Sequence, residues 1–425
     1  MVDVLVLGAG LSGLMAAYKT AKSGMTTKVI AKGLGGALHW SAGTIDVLGY
    51  LQKELVQNPQ AAITSLNESK SGHPYAQLTA ENVMTYLDEF AALTAEIGLP
   101  YVGAKKTGEN MLLPSPVGAV RPTFLAPIAQ AAGDLSRSDP MVIVGFTGLR
   151  DFYPKLIAEN LNKQGYPARA LILPGELLTN RKDSNTIHLA HEMEDQKRLS
   201  QIAKALRTQL KKGERVGFPA ILGMAAHQTV LNTLEKQLRV PVFEIPTLPP
   251  SVPGIRLFKA LRTKLNRMGV RVEAGMEVVR AQHTAVNGTP GSVAWVETET
   301  SSRPLKHRAS HFVLATGGVL GAGFDSDVSG HMWETIFDLP LTMPQQRNKW
   351  FHADFLHPEG HPVFLGGVAV NSAFQPVNEA GRPLYANLRT VGNALSGCDA
   401  IQERSLEGVA IVTGLAAGEA IGEGD

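Results

Sequence analysis

The chain has a single cysteine, Cys398, in 425 residues. One thiol excludes a disulfide framework, and it excludes an iron–sulfur cluster or a Cys-rich zinc site built by this chain alone. A surplus of either charge is also missing, with 40 Lys and Arg against 38 Asp and Glu and a formal net charge of +2. That balance gives no general pull towards nucleic acid, and the short basic run LKKGER near Lys211 reads as a solvated helix end. Nowhere do about 18 uninterrupted apolar residues occur, so no membrane span is expected. The apolar start carries Asp3 where a leader would need positive charge, and glycines 8, 10 and 13 interrupt it, so no secretory signal is read and a cytoplasmic protein is expected. What remains is a chain of 44% hydrophobic and 18% charged residues, ordinary for a globular protein and long enough to predict two structural units.

The strongest local signal stands at the beginning. Val2 to Leu7 is apolar apart from Asp3, as in a strand buried on both faces of a parallel sheet. It runs into G8-A-G10-L-S-G13, after which Leu14, Met15 and Tyr18 recur at helical spacing until Gly24, and Thr27 to Ala31 reads as the next strand. In this strand–turn–helix setting the first glycine makes the tight turn. The second lets a phosphate approach the backbone, and the third lets helix and strand pack closely. One expected feature is absent: the second strand ends Ala31-Lys32, without the Asp or Glu that holds a ribose hydroxyl in dinucleotide folds.

Between about 75 and 245 the texture changes to helical stretches separated by Pro and Gly clusters, such as LPSPVGAVRP and GERVGFP. From Gly254 the first texture returns: a helix with Leu257, Leu261 and Leu265, a stop at Gly269, and VRVEAGMEVV as a strand. The strand HFVLATGG follows, then a strand near Arg389 to Val391 and a helix from about 404 to 420. The expected architecture is α/β: a discontinuous Rossmann-like flavin-binding domain (1–75 and 245–425) with an inserted α+β cap or substrate domain (76–244).

Gly33 to Asp46, GLGGALHWSAGTID, offers loop amides and the polar groups of His39, Ser41, Thr44 and Asp46. A flavin needs donors at its phosphate and ring edge and room for backbone beside the ring, which this mixture supplies. Cofactor candidates are Gly8, Gly10, Ser12, Gly13, Ser41, Gly43, Gly317, Gly318, Gly392 and Asn393, the later ones because ligands sit at the carboxyl ends of parallel strands. Arg121, Arg150 and Arg256 lie in Gly/Pro-rich or aromatic contexts, and the guanidinium fork suits a phosphate; with His39 they are the catalytic and substrate candidates. No metal is expected: His352, His357 and His361 read as solvated loop residues, and His188 and His191 lack metalloprotease order.

Together VLVLGAGLSGL, ALHWSAGTIDVL, GLRDFYPKLIAENL, PVFEIPTLPPSVPGIRL, HFVLATGG and NLRTVGNALSGCDAIQE resemble the B-subunit family of anaerobic glycerol-3-phosphate dehydrogenase, in order and over nearly the whole chain. The resemblance implies a flavoprotein fold of the fumarate-reductase and succinate-dehydrogenase type. It implies a small phosphorylated polyol as substrate, with sn-glycerol 3-phosphate oxidised to dihydroxyacetone phosphate. The implied partners are a flavin-bearing sister subunit and a membrane-attached iron–sulfur subunit that passes electrons to quinone. That places the chain on the inner face of the cell membrane through those partners. The family's association with FMN and the missing acid near Lys32 put FMN first and FAD second. Two departures stand out, R404-S-L-E-G408 where the family tail is glycine-rich, and Asn393 where flavoproteins often carry Asp. The 404–408 segment motivates one alternative, a non-catalytic assembly or scaffold protein with a flavoprotein fold, and a second is a flavoenzyme of the same fold for another hydroxy acid.

Overall fold

The computed structural model describes residues 1–68, 72–181, 184–284, 289–299 and 303–424. In chain order, the elements around which it is built are β1 (Val2–Ala9), α1 (Leu11–Lys22), β2 (Thr27–Leu34), β3 (Met141–Phe146), α2 (Pro154–Lys163) and β4 (Ala168–Leu173). Next come α3 (Gln196–Arg207), β5 (Arg215–Pro219), α4 (His227–Leu238), β6 (Val242–Ile245) and α5 (Val252–Arg267). The last are β7 (Arg271–Glu273), β8 (Glu277–His283), β9 (Ala309–Leu314), β10 (Leu388–Thr390) and α6 (Leu406–Gly422). The chain divides into two compact units, unit 1 being 1–37, 46–93 and 260–425 and unit 2 being 38–45 and 94–259. These divisions fall at 93/94 and 259/260, where sequence texture puts boundaries near 75 and 245, and the loop 38–45 goes with unit 2.

Unit 1 is built on a five-stranded sheet in the order β7-β2-β1-β9-β10, every neighbouring pair parallel. β1 is central, and Val4 to Leu7 are at most 1% exposed, which explains the unbroken apolar run. Its core joins Leu5, Leu7 and Ile30 to Phe312, Leu314 and Leu388. β2 runs past Lys32 to Leu34, with an irregular step in its pairing to β1. VRVEAGMEVV is two strands rather than one: at Gly275 (φ +70°) the chain turns, and the Gly275 and Met276 N–H groups bond Lys32 O and Ala31 O. Apolar alternation continues across that turn, so periodicity alone does not show it.

The fingerprint helix α1 packs against α6 at backbone distance. A Cβ on Gly414 would stand 2.4 Å from Ser12 O, and one on Gly418 would stand 2.9 Å from Ala16 O. Glycines four residues apart therefore leave a groove along α6 into which α1 fits.

Unit 2 carries a four-stranded, wholly parallel sheet in the order β4-β3-β5-β6. Successive β3 residues face different cores: Val142 and Val144 meet α3 and α4 through Leu199, Ile202, Val230 and Leu234. Met141 and Ile143 meet Ile157 and Leu161 of α2. Both faces are covered, the condition for a parallel sheet. Short antiparallel pairs, Met111–Pro114 with Val120–Thr123 and Tyr101–Val102 with Ala126–Pro127, complete this unit.

Candidate cofactor site

In unit 1 the chain-first strand β1 lies between β2 and β9, so strand order reverses at its carboxyl end. Such a reversal opens a crevice where ligands bind in open α/β sheets. Gly8 and Gly13 are there because nothing larger fits: an added Cβ would lie 2.2 Å from Ala315 O at Gly8 and 2.1 Å from Gly8 O at Gly13. Gly10 differs, since an added Cβ would meet nothing within 4 Å. It is the N-cap of α1, without a side-chain cap and without an acid in the first helical turn. The positive end of the α1 dipole thus faces open space, an arrangement suited to phosphate. At the same edge Thr316 Oγ1 is buried and has no hydrogen-bond partner among the described residues.

The second half of this cradle comes from two later strand ends. A Cβ on Gly318, after β9, would lie 2.3 Å from Asn393 O. Gly392, after β10, has φ +69° and so close an approach to α1 that its Cβ would fall 2.4 Å from Ser12 Oγ. Gly8, Gly10, Ser12, Gly13, Gly317, Gly318, Gly392 and Asn393 are therefore brought together, although they span most of the sequence. From this turn, where Leu395 N–H bonds Gly392 O, the chain runs directly into the wall of a cavity of about 440 Å³. Gly72, Pro74, Thr342, Val368, Leu395 and Gly397 line it. A glycine cradle, an uncapped helix end and an orphaned hydroxyl fit the phosphate of a flavin.

Arg404 and Lys32 take on new meanings in space. Arg404 (φ +52°) turns its guanidinium onto Asp46, with Nη2 2.8 Å from Oδ2, and Gly408 N–H bonds Asp46 O. The bulk in R404-S-L-E-G408 is thus committed to an ion pair that fastens the start of α6 to the segment after loop 38–45. Lys32 Nζ lies 2.7 Å from Glu277 Oε1, both groups reaching into solvent. A carboxylate does stand beside the end of β2, contributed by β8; with so many residues between them, no local motif reveals it.

The other candidates belong to unit 2. Loop 38–45 is clamped there by Ser251 N–H to His39 O (2.7 Å), Tyr101 O–H to Gly43 O (2.6 Å) and Gln130 Nε2 to Ala42 O (2.8 Å). Ser41 is buried and accepts Gly43 N–H, whereas the His39 side chain is exposed. Arg121 is buried and donates to Thr44 Oγ1 (2.6 Å), which makes it a brace of this loop. Arg256 makes a two-pronged pair with Glu244 at 2.7 and 2.9 Å, and its Nε donates to Gly223 O. Burial raises the Glu244 carboxyl, but Arg256 and His227 outweigh it and hold it below the usual range. Arg256 is thus engaged on every guanidinium nitrogen inside unit 2. Arg150, in the loop after β3, is the exposed member of the three.

Two groups of metal-type ligands occur among the described residues, His73 with Cys398 and Glu403, and His352 with His357 and Glu359. In each, one histidine accepts a backbone N–H at Nδ1: His73 from Tyr75 (3.1 Å) and His357 from Glu359 (3.2 Å). Its proton is then on Nε2, where a metal would have to bind, opposite to the usual arrangement of a ligating histidine. In the first group Glu403 Oε2 accepts that N–H from His73 and accepts from Cys398 and Ser405 as well. The loop histidines are organised rather than merely solvated, with His352 and His357 stacked at 3.7 Å.

Fold and site together define a protein with a nucleotide fold and a cradle shaped for a phosphorylated cofactor. Comparison with known proteins gives the family. The FAD binding domain family matches residues 3–408. A Halobacterium salinarum protein, named as the probable B-subunit of anaerobic glycerol-3-phosphate dehydrogenase, is 34% identical over 99% of this chain and 98% of its own length. The Aliivibrio fischeri anaerobic glycerol-3-phosphate dehydrogenase B-subunit is 30% identical over 99% of this chain and 95% of its own. A solved 3-ketosteroid Δ1-dehydrogenase from Sterolibacterium denitrificans overlaps at 12% identity and a TM-score of 0.48 over the full length of both chains, too distant to transfer residue roles. The chain belongs to the B-subunit family of anaerobic glycerol-3-phosphate dehydrogenase, within the FAD binding domain family.

Proposed function

We propose that this chain is the flavin-dependent B-subunit of an anaerobic glycerol-3-phosphate dehydrogenase, oxidising sn-glycerol 3-phosphate to dihydroxyacetone phosphate. The near-full-length likeness to proteins of that name carries the reading, and the open cradle at Gly10 supports it. Unit 1 would hold the cofactor, through Gly8, Gly10 and Gly13 at the N-terminus of α1 and through Gly317, Gly318, Gly392 and Asn393 at the later strand ends. Unit 2 would be the substrate or cap domain.

The oxidation removes the C2 hydrogen with its electron pair and the hydroxyl proton. A bound flavin supplies the two-electron acceptor. Among this chain's residues, Arg150 is the candidate to hold the substrate phosphate and His39 to take the hydroxyl proton. Arg121 and Arg256 are assigned to the framework of unit 2. The alternative of a non-catalytic assembly protein draws on R404-S-L-E-G408, where Arg404 pairs with Asp46, and the flavin and activity tests below decide between the two readings.

For the flavin, the family description and the Glu277 carboxylate beside the strand end support FAD over the FMN expected from the missing acid. No helix of the described residues is long and apolar enough to cross a membrane. A place on the inner membrane face would therefore come through partners, proposed to be a flavin-bearing sister subunit and an iron–sulfur subunit leading to quinone.

Denaturing release followed by chromatography identifies the flavin, FAD being the expected result and FMN the alternative. Anaerobic bleaching of the flavin band by glycerol 3-phosphate, measured on this chain alone, tests the activity. A purified chain that stays colourless after incubation with either flavin sinks the reading.

A further inference from the structure

The last helix contains one hydroxyl in an otherwise apolar stretch, V409-A-I-V-T413-G-L-A-A-G418. Thr413 is fully buried. Its Oγ1–H donates to Val409 O at 2.7 Å, the usual way a helical threonine satisfies itself. The same Oγ1 then accepts the Gly392 N–H at 2.9 Å. A relay of two bonds thus leads from a carbonyl of α6, through Thr413, to the amide of the turn that follows β10.

From this geometry we infer that Thr413 is the positioning residue of the cofactor turn, an inference that rests on the flavin reading above. Backbone bonds flank the turn, Val391 N–H to Leu314 O and Leu395 N–H to Gly392 O, and the Gly392 N–H itself is held by Thr413. Gly392 sits at φ +69° without a side chain of its own to lock it, and Asn393 follows directly. On one side Gly392 touches Ser12 of the fingerprint helix, and on the other it is bonded to Thr413. The neighbouring Gly414 lies against Ser12 O, so one turn of α6 both packs on α1 and orients the Gly392 amide. Thr413 does not itself meet the cofactor. Removing its hydroxyl leaves a buried N–H without an acceptor, which the turn relieves by rotating and carrying Asn393 with it.

Flavin affinity of the purified full chain, read by quenching of FAD and FMN fluorescence, tests this against a merely structural role. Thr413→Val is expected to raise the flavin dissociation constant about tenfold, and Thr413→Ser to restore it to within about twofold. Thr20→Val is the control: Thr20 is equally buried, and its hydroxyl bonds Ala16 O of its own helix and Thr27 on the adjoining strand. It should lower the melting temperature and leave flavin affinity unchanged. If Thr413→Val lowers stability like the control while binding stays within about twofold, the positioning role is overturned. Hydrogen exchange on the unmutated, flavin-free chain gives a second reading that needs no variant to fold. The Gly392 amide should already exchange as slowly as the core of β1, and rapid exchange that slows only on adding flavin overturns the inference. Failure of the unmutated chain to bind flavin overturns the underlying reading and this inference with it.

Discussion

Both units carry a parallel sheet whose order reverses beside its first strand, at β1/β9 in unit 1 and at β3/β5 in unit 2. At each reversal the chain turns from a strand into a helix, and the two turns are furnished in opposite ways. In unit 1 the turn is glycine, and the helix it opens has no acid near its start. In unit 2 the turn after β5 is filled from within: Glu194 Oε1 accepts the N–H groups of Met224, Ala225 and Ala226 at 2.6 to 2.8 Å. Behind it lie Glu244, Arg256 and His227, all buried. Burial raises the Glu194 carboxyl, but the three amides outweigh it and hold it below its ordinary value. The same topology can therefore offer its helix end to a ligand or satisfy it with the chain's own carboxylate. Topology alone does not locate a binding site; the side chains at the reversal decide it.

The largest test of this contrast removes the internal cation. Arg256→Met leaves Glu244 buried without its partner, and unit 2 should lose about 3–5 kcal/mol in urea unfolding. Arg256→Met with Glu244→Leu should recover most of it, because the pair is replaced by apolar packing. A raised KM for glycerol 3-phosphate with stability unchanged would instead return Arg256 to the substrate.

Unit 1 supplies the opposite kind of buried carboxylate. Glu334 is 1% exposed, accepts the Ile336 and Phe337 N–H groups, and is pushed up by burial from 4.5 to about 7. A group whose folded pKa is raised contributes its full stability below its unfolded value and loses it as pH rises through the folded one. The unmutated chain should therefore lose on the order of 3 kcal/mol between about pH 4.5 and pH 8 from this residue. Glu334→Gln keeps the acceptor oxygen and removes the titration. Its stability relative to the parent should grow with pH across that window, and a gap that stays constant would place the titration elsewhere.

A smaller loss, about 1–3 kcal/mol, is expected for Gly13→Ala, whose new methyl meets Gly8 O at 2.1 Å. The change should also abolish flavin binding, whereas an alanine that binds flavin normally would mean that the cradle is not where the cofactor sits. The smallest effect belongs to Lys32→Ala, under about 1 kcal/mol, because its pair with Glu277 is exposed. Its use is diagnostic: if Glu277 serves a ribose, Glu277→Ala should weaken FAD more than FMN while Lys32→Ala changes neither much.

The legible part of this molecule is whatever its chemistry writes over short distances. G8-A-G10-L-S-G13 between an apolar strand and an amphipathic helix specifies its turn by spacing alone, and the glycines at 317, 318 and 392 sit at strand ends where the fold requires them. Asn393 follows from the same logic. The parallel sheet of unit 2 is harder to see, because its strands are short apolar runs among Pro and Gly clusters and pair across long separations. The Arg256–Glu244 pair is not legible because Arg256 lies in Gly/Pro-rich surroundings, while Glu244, its partner, lies on a different element. Glu277 beside Lys32 and Thr413 beside Gly392 are contacts made by folding. Thr413 nevertheless leaves a trace, the lone hydroxyl in an apolar helix.

Loop 38–45 lies in sequence between two segments of unit 1 yet is hydrogen-bonded into unit 2. Any attempt to dissect the protein inherits that weave. A fragment cut at 94–259 would keep Tyr101, Arg121, Gln130 and Ser251 and lose the carbonyls and hydroxyl they bond, and with them four hydrogen bonds of this unit. Excision at sequence boundaries would thus yield a piece with a wound in its interior, and an independently folding version would need residues 38–45 grafted back onto it.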